Sequence, residues 1–119
     1  MSSPPAAPSE SPLLLREDRE GIATLVLNRP TRQNALCEAL IDELQRAADA
    51  LAADPEIRVV VLAASGPAFC AGHDLREMRA RPELGTYRAL FASCTRMMLS
   101  LAGLPQPVVG RVQGVATPA

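Results

Sequence analysis

The chain has 119 residues, of which 48% are hydrophobic and 3% aromatic, and its formal net charge is −1. This length and apolar content predict one modest folded domain with a real core. A nucleic-acid-binding protein is disfavoured, because the chain has neither a basic stripe for phosphates nor enough aromatic side chains to stack bases.

The cysteine and histidine content disfavours a metal site. Cys37, Cys70 and Cys94 are far apart and His73 is the only histidine, so no pair has the spacing of zinc ligands. Free thiols are typical of a reducing compartment. No apolar run reaches membrane-spanning length, so we expect no membrane insertion. Residues 1–12 lack Arg and Lys, which predicts a cytoplasmic protein, with the mitochondrial matrix as the alternative.

Strands dominate the first part of the chain. Residues 1–12 are rich in Pro and Ser and are expected to form a disordered tail before a domain over residues 13–119. Residues 13–15 begin a first predicted strand, residues 16–21 predict a polar turn, and residues 22–27 form a second strand antiparallel to the first. Pro30 ends the second strand because proline cannot donate to a sheet.

Helices and strands alternate in the rest of the chain. Apolar residues at helical spacing predict a helix over 37–53, and three consecutive valines predict a strand over 57–64 that is buried on both faces. A second helix follows, whose core stripe comprises Tyr87, Leu90, Phe91, Cys94, Met97, Met98 and Leu101. Residues 107–112 predict a last strand. This order predicts parallel pairing through crossover helices.

A small-residue turn joins the third predicted strand to a short helical segment over 75–79. Its sequence is AFCAGHDL, residues 68–75. A tight turn before a helix can direct a backbone N–H into a cleft. Chemistry that places negative charge on a carbonyl oxygen needs such a donor. We therefore regard this turn as the most informative segment of the chain.

The side chains near this turn allow more than one interpretation. His73 and Asp74 could form part of a catalytic dyad, with Ser65 or Ser93 as the nucleophile. The favoured interpretation is that His73 donates through its backbone and that Asp74 caps the following helix. Cys70 is interpreted as a buried thiol without a nucleophilic role.

Arginines are the second set of candidate site residues. Arg32 and, to a lesser degree, Arg76 are candidates for phosphate contacts, because guanidinium groups bind phosphate well. Arg29, Arg79 and Arg81 are expected to be solvated surface charges.

Three segments together resemble the enoyl-CoA hydratase/isomerase (crotonase) superfamily. They are LNRP with NAL at 27–30 and 34–36, RVVVL with AFCAGHDL at 58–62 and 68–75, and PVVGRVQG at 107–114. The resemblance covers residues 13–119, roughly the first half of the family's domain. It implies an α/β crotonase-like ββα spiral (ClpP/crotonase fold), here incomplete, with a parallel sheet and crossover helices.

The resemblance implies an enzyme family of fatty-acid metabolism that acts as a lyase or isomerase on acyl-CoA thioesters. The thioester carbonyl would be polarised by two backbone N–H donors, those of His73 and Ala119. Substrate contacts carried over by the resemblance involve Arg32, Gln33, Ala71, His73, Asp74, Leu75 and Arg76. Coenzyme A would enter as part of the substrate, with no separate cofactor and no metal. Members of the family are commonly trimers or hexamers, so a homo-oligomer is implied.

The chain departs from the family pattern near residue 119. Residues 117–119 read Thr-Pro-Ala where the family has glycines, and the family's catalytic glutamates align beyond them. The alternative hypothesis is a truncated, non-catalytic fragment that binds acyl-CoA or a partner. Such a fragment would expose residues 108–112 and the Leu90/Met97 helix face and would self-associate. An unrelated α/β binding domain is a third hypothesis.

Overall fold

The computed structural model describes residues 12–32, 34–66, 70, 72, 74–80 and 83–111. Within these ranges the strands are β1 (Leu14–Arg19), β2 (Ile22–Leu27), β3 (Val59–Ala64) and β4 (Val108–Gly110). The helices are α1 (Glu38–Ala52), α2 (Leu75–Ala80) and α3 (Leu84–Ala102), and a short 3-10 helix spans Pro30–Arg32. The predicted tail lies outside the described residues except for Pro12.

The four strands form one sheet in the order β1-β2-β3-β4. β1 and β2 are antiparallel, whereas β2 with β3 and β3 with β4 are parallel. Glu20 and Gly21 connect the first two strands with φ angles of 52° and 80°, and two positive φ values are the requirement of a two-residue type I′ hairpin. The predicted antiparallel pairing of the first two strands and the parallel crossovers are therefore confirmed. The predicted polar turn over 16–21 is wrong in its bounds, because residues 16–19 pair with β2 and only Glu20 and Gly21 form the turn.

Helix α1 covers the sheet with one apolar face. Its buried residues are Leu40, Ile41, Leu44, Ala48 and Leu51. Part of this face packs in one apolar cluster with Leu27 of β2 and with Leu90, Cys94 and Met97 of α3. The predicted helix over 37–53 differs from the observed one by one residue at each end, because an apolar period of 3.6 is a strong signal in a helix of this length.

Two predictions about burial are wrong. β3 was predicted to be buried on both faces, but only Val60 and Ala63 are buried and its other residues are half-buried. In α3 the predicted core stripe is too wide, since Phe91 and Met98 are 43% and 46% exposed. Only the narrower stripe that faces α1 is buried, as expected for a helix with one packing partner.

Of the two apolar surfaces expected to be exposed, the last strand is exposed and the Leu90/Met97 face of α3 is not. Val108 and Val109 of β4 are 39% and 52% exposed. The Leu90/Met97 face, which was expected to be uncovered, is buried against α1. Residue 112, the end of the last predicted strand, lies outside the described residues. None of the helices in the described part of the chain has the length and apolarity needed to cross a bilayer.

Candidate functional site

The chain bends sharply where β3 ends. The N–H of Ser65 donates to the carbonyl of Leu27 at 2.8 Å, which continues the pairing of β2 with β3. Gly66 follows with a φ of +81°, and a Cβ at this position would lie 2.7 Å from the Cβ of Pro30. Glycine is therefore required both by the backbone conformation and by the close approach of the loop that follows β2.

One residue of that loop, Leu36, bonds to the main chain on both sides of position 73. The N–H of Leu36 donates to the carbonyl of Gly72 at 2.6 Å, and its carbonyl accepts from the N–H of Asp74 at 2.8 Å. Gly72 has a φ of +85°, a conformation that favours glycine. The two bonds fix the positions of residues 72 and 74 relative to the loop after β2.

The carboxylate of Asp74 caps helix α2. Its Oδ1 accepts from the N–H of Arg76 at 3.0 Å and from the N–H of Glu77 at 3.2 Å. These are the donors at the second and third helical positions, which have no partner inside the helix. The predicted capping role of Asp74 is confirmed.

Arg29 joins the loop after β2 to the same carboxylate. Its Nη2 lies 3.0 Å from Asp74 Oδ2, and its Nη1 donates to the carbonyl of Ala35 at 2.6 Å. The side chains of Arg29 and Asp74 are only 15% and 8% exposed. The expectation that Arg29 is a solvated surface charge is therefore wrong, because its guanidinium is held between two partners away from solvent.

Asn34 fixes the loop from inside. It is fully buried, with a φ of 54°. Its Oδ1 accepts from the N–H of Arg29 at 2.7 Å, and its Nδ2 donates to the carbonyl of Ser65 at 2.9 Å. Asparagine tolerates the left-handed conformation better than most residues. This one side chain thus connects the end of β2 with the end of β3.

Charge pairing keeps Asp74 ionised. Burial opposes ionisation, but the N–H of Glu77, the guanidinium of Arg29 and the charge of Arg32 outweigh it and lower the pKa of Asp74. Both carboxylate oxygens are engaged in these contacts. A dyad with His73 would have to compete with Arg29 and with the helix cap, so the geometry favours the capping interpretation over the dyad.

The predicted site residues fall into three groups. Gln33, Ala71, His73 and Ala119 lie outside the described residues, so their roles remain predictions, and Leu75 begins α2 with a side chain that is not described. Arg32 lies beside the Arg29–Asp74 pair, with its Nη2 4.0 Å from Asp74 Oδ2. Arg76 is exposed in the first turn of α2. Arg32, Asp74 and Arg76 are thus brought together at the start of α2.

Sequence reasoning missed the roles of Arg29 and Asn34. A weak signal existed for Asn34, because asparagine in a loop is a candidate for a positive φ. No local signal existed for Arg29, whose partner Asp74 is 45 residues away. Pairing across that distance follows from the parallel sheet, which places the ends of β2 and β3 side by side.

The three cysteines are buried free thiols. All three belong to the apolar cluster that joins α1 to α3. Burial, and secondarily the neighbouring Cys70, raises the pKa of the Cys94 thiol, which makes its thiolate scarce at neutral pH. Within the described ranges, no three His, Cys, Asp or Glu side chains converge as metal ligands would.

A cavity of about 390 Å³ lies beside α2, between the first turns of α1 and α3. Met78 and Leu90 form its apolar part, and Glu38, Glu77 and Glu83 contribute carboxylates to its lining. Glu77 is partly engaged, because its Oε1 accepts from the backbone N–H of Glu38 at 2.7 Å. The first α2 residue of its lining is Glu77, three positions after Asp74.

The comparisons with known proteins agree with this architecture. The family profile of enoyl-CoA hydratase/isomerase matches residues 17–119. The chain therefore belongs to the enoyl-CoA hydratase/isomerase family, and its fold is the crotonase fold. The segments over 27–36, 58–75 and 107–114 are those through which the sequence resembles this family.

Particular relatives can be named. The chain is 38% identical to the mitochondrial enoyl-CoA hydratase domain-containing protein 3 of Danio rerio, over 92% of this chain and 38% of that protein. It is 55% identical to a solved enoyl-CoA hydratase of Mycobacterium smegmatis, with a TM-score of 0.83 over 86% of this chain and 40% of that one. A solved enoyl-CoA hydratase/isomerase (crotonase) of Legionella pneumophila is 30% identical, with a TM-score of 0.80 over 86% and 40%. The chain thus spans about two fifths of the length of these relatives.

Proposed function

We propose that this chain contributes the thioester-binding half of an acyl-CoA site, in which the backbone N–H of His73 polarises the thioester carbonyl. The reaction class is hydration or isomerisation of an enoyl-CoA in fatty-acid metabolism. The observation that carries the proposal is the pair of backbone bonds from Leu36 to Gly72 and Asp74. Family membership over residues 17–119 supplies the substrate class.

The two backbone bonds of Leu36 support the proposal that the amide at position 73 donates to the substrate. In a parallel ladder, a residue that lies between two such bonds turns its own N–H away from the partner strand. The carbonyl of Gly72 and the N–H of Asp74 are both used by Leu36. In the proposed arrangement the intervening N–H of His73 is directed at the ligand.

The chemistry requires a donor of this kind. When water or a proton adds to an α,β-unsaturated thioester, negative charge develops on the carbonyl oxygen. A fixed N–H stabilises that charge, and the loss of one such donor costs roughly 10²–10³ in turnover. The second donor proposed by the resemblance is the N–H of Ala119. Homo-oligomerisation and the use of coenzyme A only as part of the substrate belong to the same proposal.

The coenzyme A end is proposed to lie near Arg32 and Gln33, with Arg76 as a further candidate for a phosphate contact. The side chain of Arg32 is 34% exposed and only 4.0 Å from Asp74, so it combines partial fixation with access to solvent. Ala71, Asp74 and Leu75 are proposed to line the acyl and pantetheine path.

The acyl chain is proposed to occupy the cavity beside α2. Its apolar part, with Met78 and Leu90, suits a hydrocarbon chain, whereas Glu77 and Glu83 in its lining would repel a carboxylate on the acyl group by like charge. One relative with 33% identity is named methylglutaconyl-CoA hydratase. The lining of this cavity favours an uncharged acyl group instead. In a competition assay against bound acetoacetyl-CoA, we expect an acyl-CoA with a carboxylate on its acyl group to compete more weakly than crotonyl-CoA.

Nuclear magnetic resonance of the labelled chain tests the central proposal. Acetoacetyl-CoA is titrated into ¹⁵N-labelled protein, with free coenzyme A as the control because it lacks the thioester carbonyl. We expect the His73 amide to shift with acetoacetyl-CoA and to shift much less with coenzyme A. A His73→Ala variant should respond like the wild type, since the donor is in the backbone. If acetoacetyl-CoA leaves the chemical shift of the amide at position 73 unchanged, the proposal is contradicted.

A second candidate function is binding of acyl-CoA or of a partner without turnover. It concerns the 119 residues by themselves, which span about two fifths of the relatives' length. Hydration of crotonyl-CoA by the purified chain decides between the two functions. Turnover above the uncatalysed background would contradict the non-catalytic function.

We also propose a compartment for the protein, the mitochondrial matrix. Curated relatives in Danio rerio and Homo sapiens are named as mitochondrial proteins, which supports the mitochondrial matrix over the expected cytoplasm. The solved relative with 55% identity comes from a bacterium. Fractionation of cells that express the tagged chain from its own gene tests the proposal, and a signal confined to the cytosol would contradict it.

A further inference from the structure

We infer that Arg29 is a positioning residue, which holds the turn at residues 72–74 in the orientation that the proposed thioester site needs. The inference rests on the proposed function and deepens it, because Arg29 lies in the LNRP segment that carries the resemblance but is not among the substrate contacts carried over by it. Arg29 acts through Asp74 and through the loop that carries Leu36, and not by contact with the substrate.

The first step is the connection that the guanidinium makes. Nη2 of Arg29 is 3.0 Å from Asp74 Oδ2, on the turn, and Nη1 is 2.6 Å from the carbonyl of Ala35, on the loop after β2. Ala35 directly precedes Leu36, whose N–H and carbonyl bond to Gly72 and Asp74. The side chain of Arg29 and the backbone of Leu36 thus both connect the loop after β2 to the turn at residues 72–74.

The second step is that the position of Arg29 is itself fixed. Its N–H donates to Asn34 Oδ1 at 2.7 Å, and its carbonyl accepts from the N–H of Asn34 at 2.8 Å. Asn34 in turn donates to the carbonyl of Ser65, at the end of β3. Arg29 is therefore anchored to both neighbouring strands before its guanidinium reaches Asp74.

The third step concerns the chemistry of the side chain. A guanidinium presents several N–H groups in a planar fork, so it can serve a carboxylate and a carbonyl at once, whereas a lysine ammonium is a point charge on a flexible stem. The Arg29–Asp74 pair is largely excluded from water, and removal of Arg29 would leave the Asp74 carboxylate with only the helix cap and the more distant charge of Arg32. Lysine should therefore replace arginine only in part.

The experiment compares three variants of the full chain. Arg29→Met removes the connection, Arg29→Lys keeps the charge, and Arg16→Met is the matched control. Arg16 also pairs with aspartates, at 2.8 Å from Asp18 and 3.4 Å from Asp54, but its pairs lie away from the turn. The readout is the ratio of the dissociation constants for coenzyme A and acetoacetyl-CoA, together with the shift of the His73 amide.

We expect the wild type and Arg16→Met to prefer acetoacetyl-CoA over coenzyme A. In Arg29→Met the ratio of the dissociation constants for coenzyme A and acetoacetyl-CoA should fall about tenfold, which is the effect of one misdirected hydrogen bond to a polarised oxygen. The affinity for coenzyme A itself should change little. Arg29→Lys should recover part of the lost preference. An Arg29→Met variant that melts earlier but keeps the full preference has lost only stability, and this result would overturn the inference.

A measurement without ligand separates the failure of this inference from that of the proposed function. Amide exchange is followed at the N–H groups of Leu36 and Asp74, which form the two bonds around position 73. In Arg29→Met we expect the amides of Leu36 and Asp74 to lose more protection against exchange than the amides of β2 do. In Arg16→Met the loss of protection should be similar at all amides. Equal loss in both variants overturns the positioning role. A wild type without any thioester response contradicts only the proposed function.

Discussion

Asn34 combines two properties that few residue types share. It sits in the left-handed region with a φ of 54°, and its side chain makes two hydrogen bonds inside the protein, one to Arg29 and one to Ser65. A residue without a side-chain amide leaves the N–H of Arg29 and the carbonyl of Ser65, both part-buried, without these partners. Unpaired buried groups cost about 1–3 kcal/mol each, so this position should be among the least tolerant in the loop.

Substitution of Asn34 by glycine and by alanine separates its two contributions. Asn34→Gly keeps the backbone conformation but loses both hydrogen bonds, and we expect the free energy of unfolding to fall by about 2–4 kcal/mol. Asn34→Ala should lose about 1 kcal/mol more, because it places a Cβ at a positive φ. Urea unfolding measures both values.

The control is Asn28→Ala, since the amide of Asn28 bonds only at an exposed position, to the carbonyl of Pro12. We expect this variant to lose less than about 1 kcal/mol. Equal losses at Asn28 and Asn34 would show that the bonds of Asn34 contribute nothing beyond those of a surface amide.

Asp74 should make stability depend on pH in the acid range. Its pKa is lowered in the folded protein, so its contribution to the free energy of unfolding is complete above the ordinary carboxyl pKa and is lost as the pH falls through the folded value. Asn at this position still caps α2 but cannot form the ion pair. Asp74→Asn should therefore be less stable than the wild type at pH 7, and the difference should shrink below about pH 4.

Asp18 supplies the control for this pH series. Its pKa is also lowered, mainly by the hydrogen bond from Arg16, but the pair is solvent-exposed. We expect Asp18→Asn to change the acid slope less than Asp74→Asn does, because exposed pairs contribute little. Wild-type and Asp74→Asn stability curves that stay parallel from pH 7 to pH 3 would contradict the assignment.

At the scale of secondary-structure elements, α3 shows how narrow a buried helical face can be. Met97 is 3% exposed and its neighbour Met98 is 46% exposed. The two residues have the same volume and flexibility, and they differ in whether they face α1. The Sδ of Met98 has only a weak contact at 3.9 Å with the Cys94 thiol.

The adjacent methionines give a matched pair of substitutions. Met97→Ala should lower the free energy of unfolding by about 2–5 kcal/mol, because it removes buried apolar volume and leaves a cavity. Met98→Ala should cost less than about 1 kcal/mol. Chemical denaturation followed by circular dichroism measures both. If Met98→Ala proved as costly as Met97→Ala, the broad core stripe expected from the sequence would be right after all.

The features predicted correctly from the sequence are those that depend on local pattern. The bounds of α1, the antiparallel pairing of β1 with β2 and the cap by Asp74 each follow from residues within a few positions of one another. The wrong predictions depend on partners remote in sequence. The burial of Met98 depends on the path of α1, and the environment of Arg29 depends on a carboxylate 45 residues away. No periodicity in the chain encodes either relation.

At the scale of the whole molecule, the two edges of the sheet differ in character. β1 forms one edge, and it carries charges of both signs at Arg16, Glu17, Asp18 and Arg19. Among the described strands β4 forms the other edge, and its three residues, Val108–Gly110, are uncharged and exposed. Charges on an edge strand prevent pairing with another chain, whereas an uncharged edge invites it.

This asymmetry predicts that isolated copies of the 119-residue chain associate through β4. A lysine at position 109 would place a charge on the exposed strand, where Val109 is 52% exposed, and should reduce association without disturbing the core. We expect the mean mass of the wild type in light scattering to rise with concentration, and that of Val109→Lys to remain nearer the monomer. The control is Leu84→Lys, since Leu84 is 62% exposed but lies at the start of α3, away from the edge. If Leu84→Lys reduced association as much as Val109→Lys, general apolar exposure would be the cause. A wild type that is monomeric at all concentrations would contradict the role of β4 altogether.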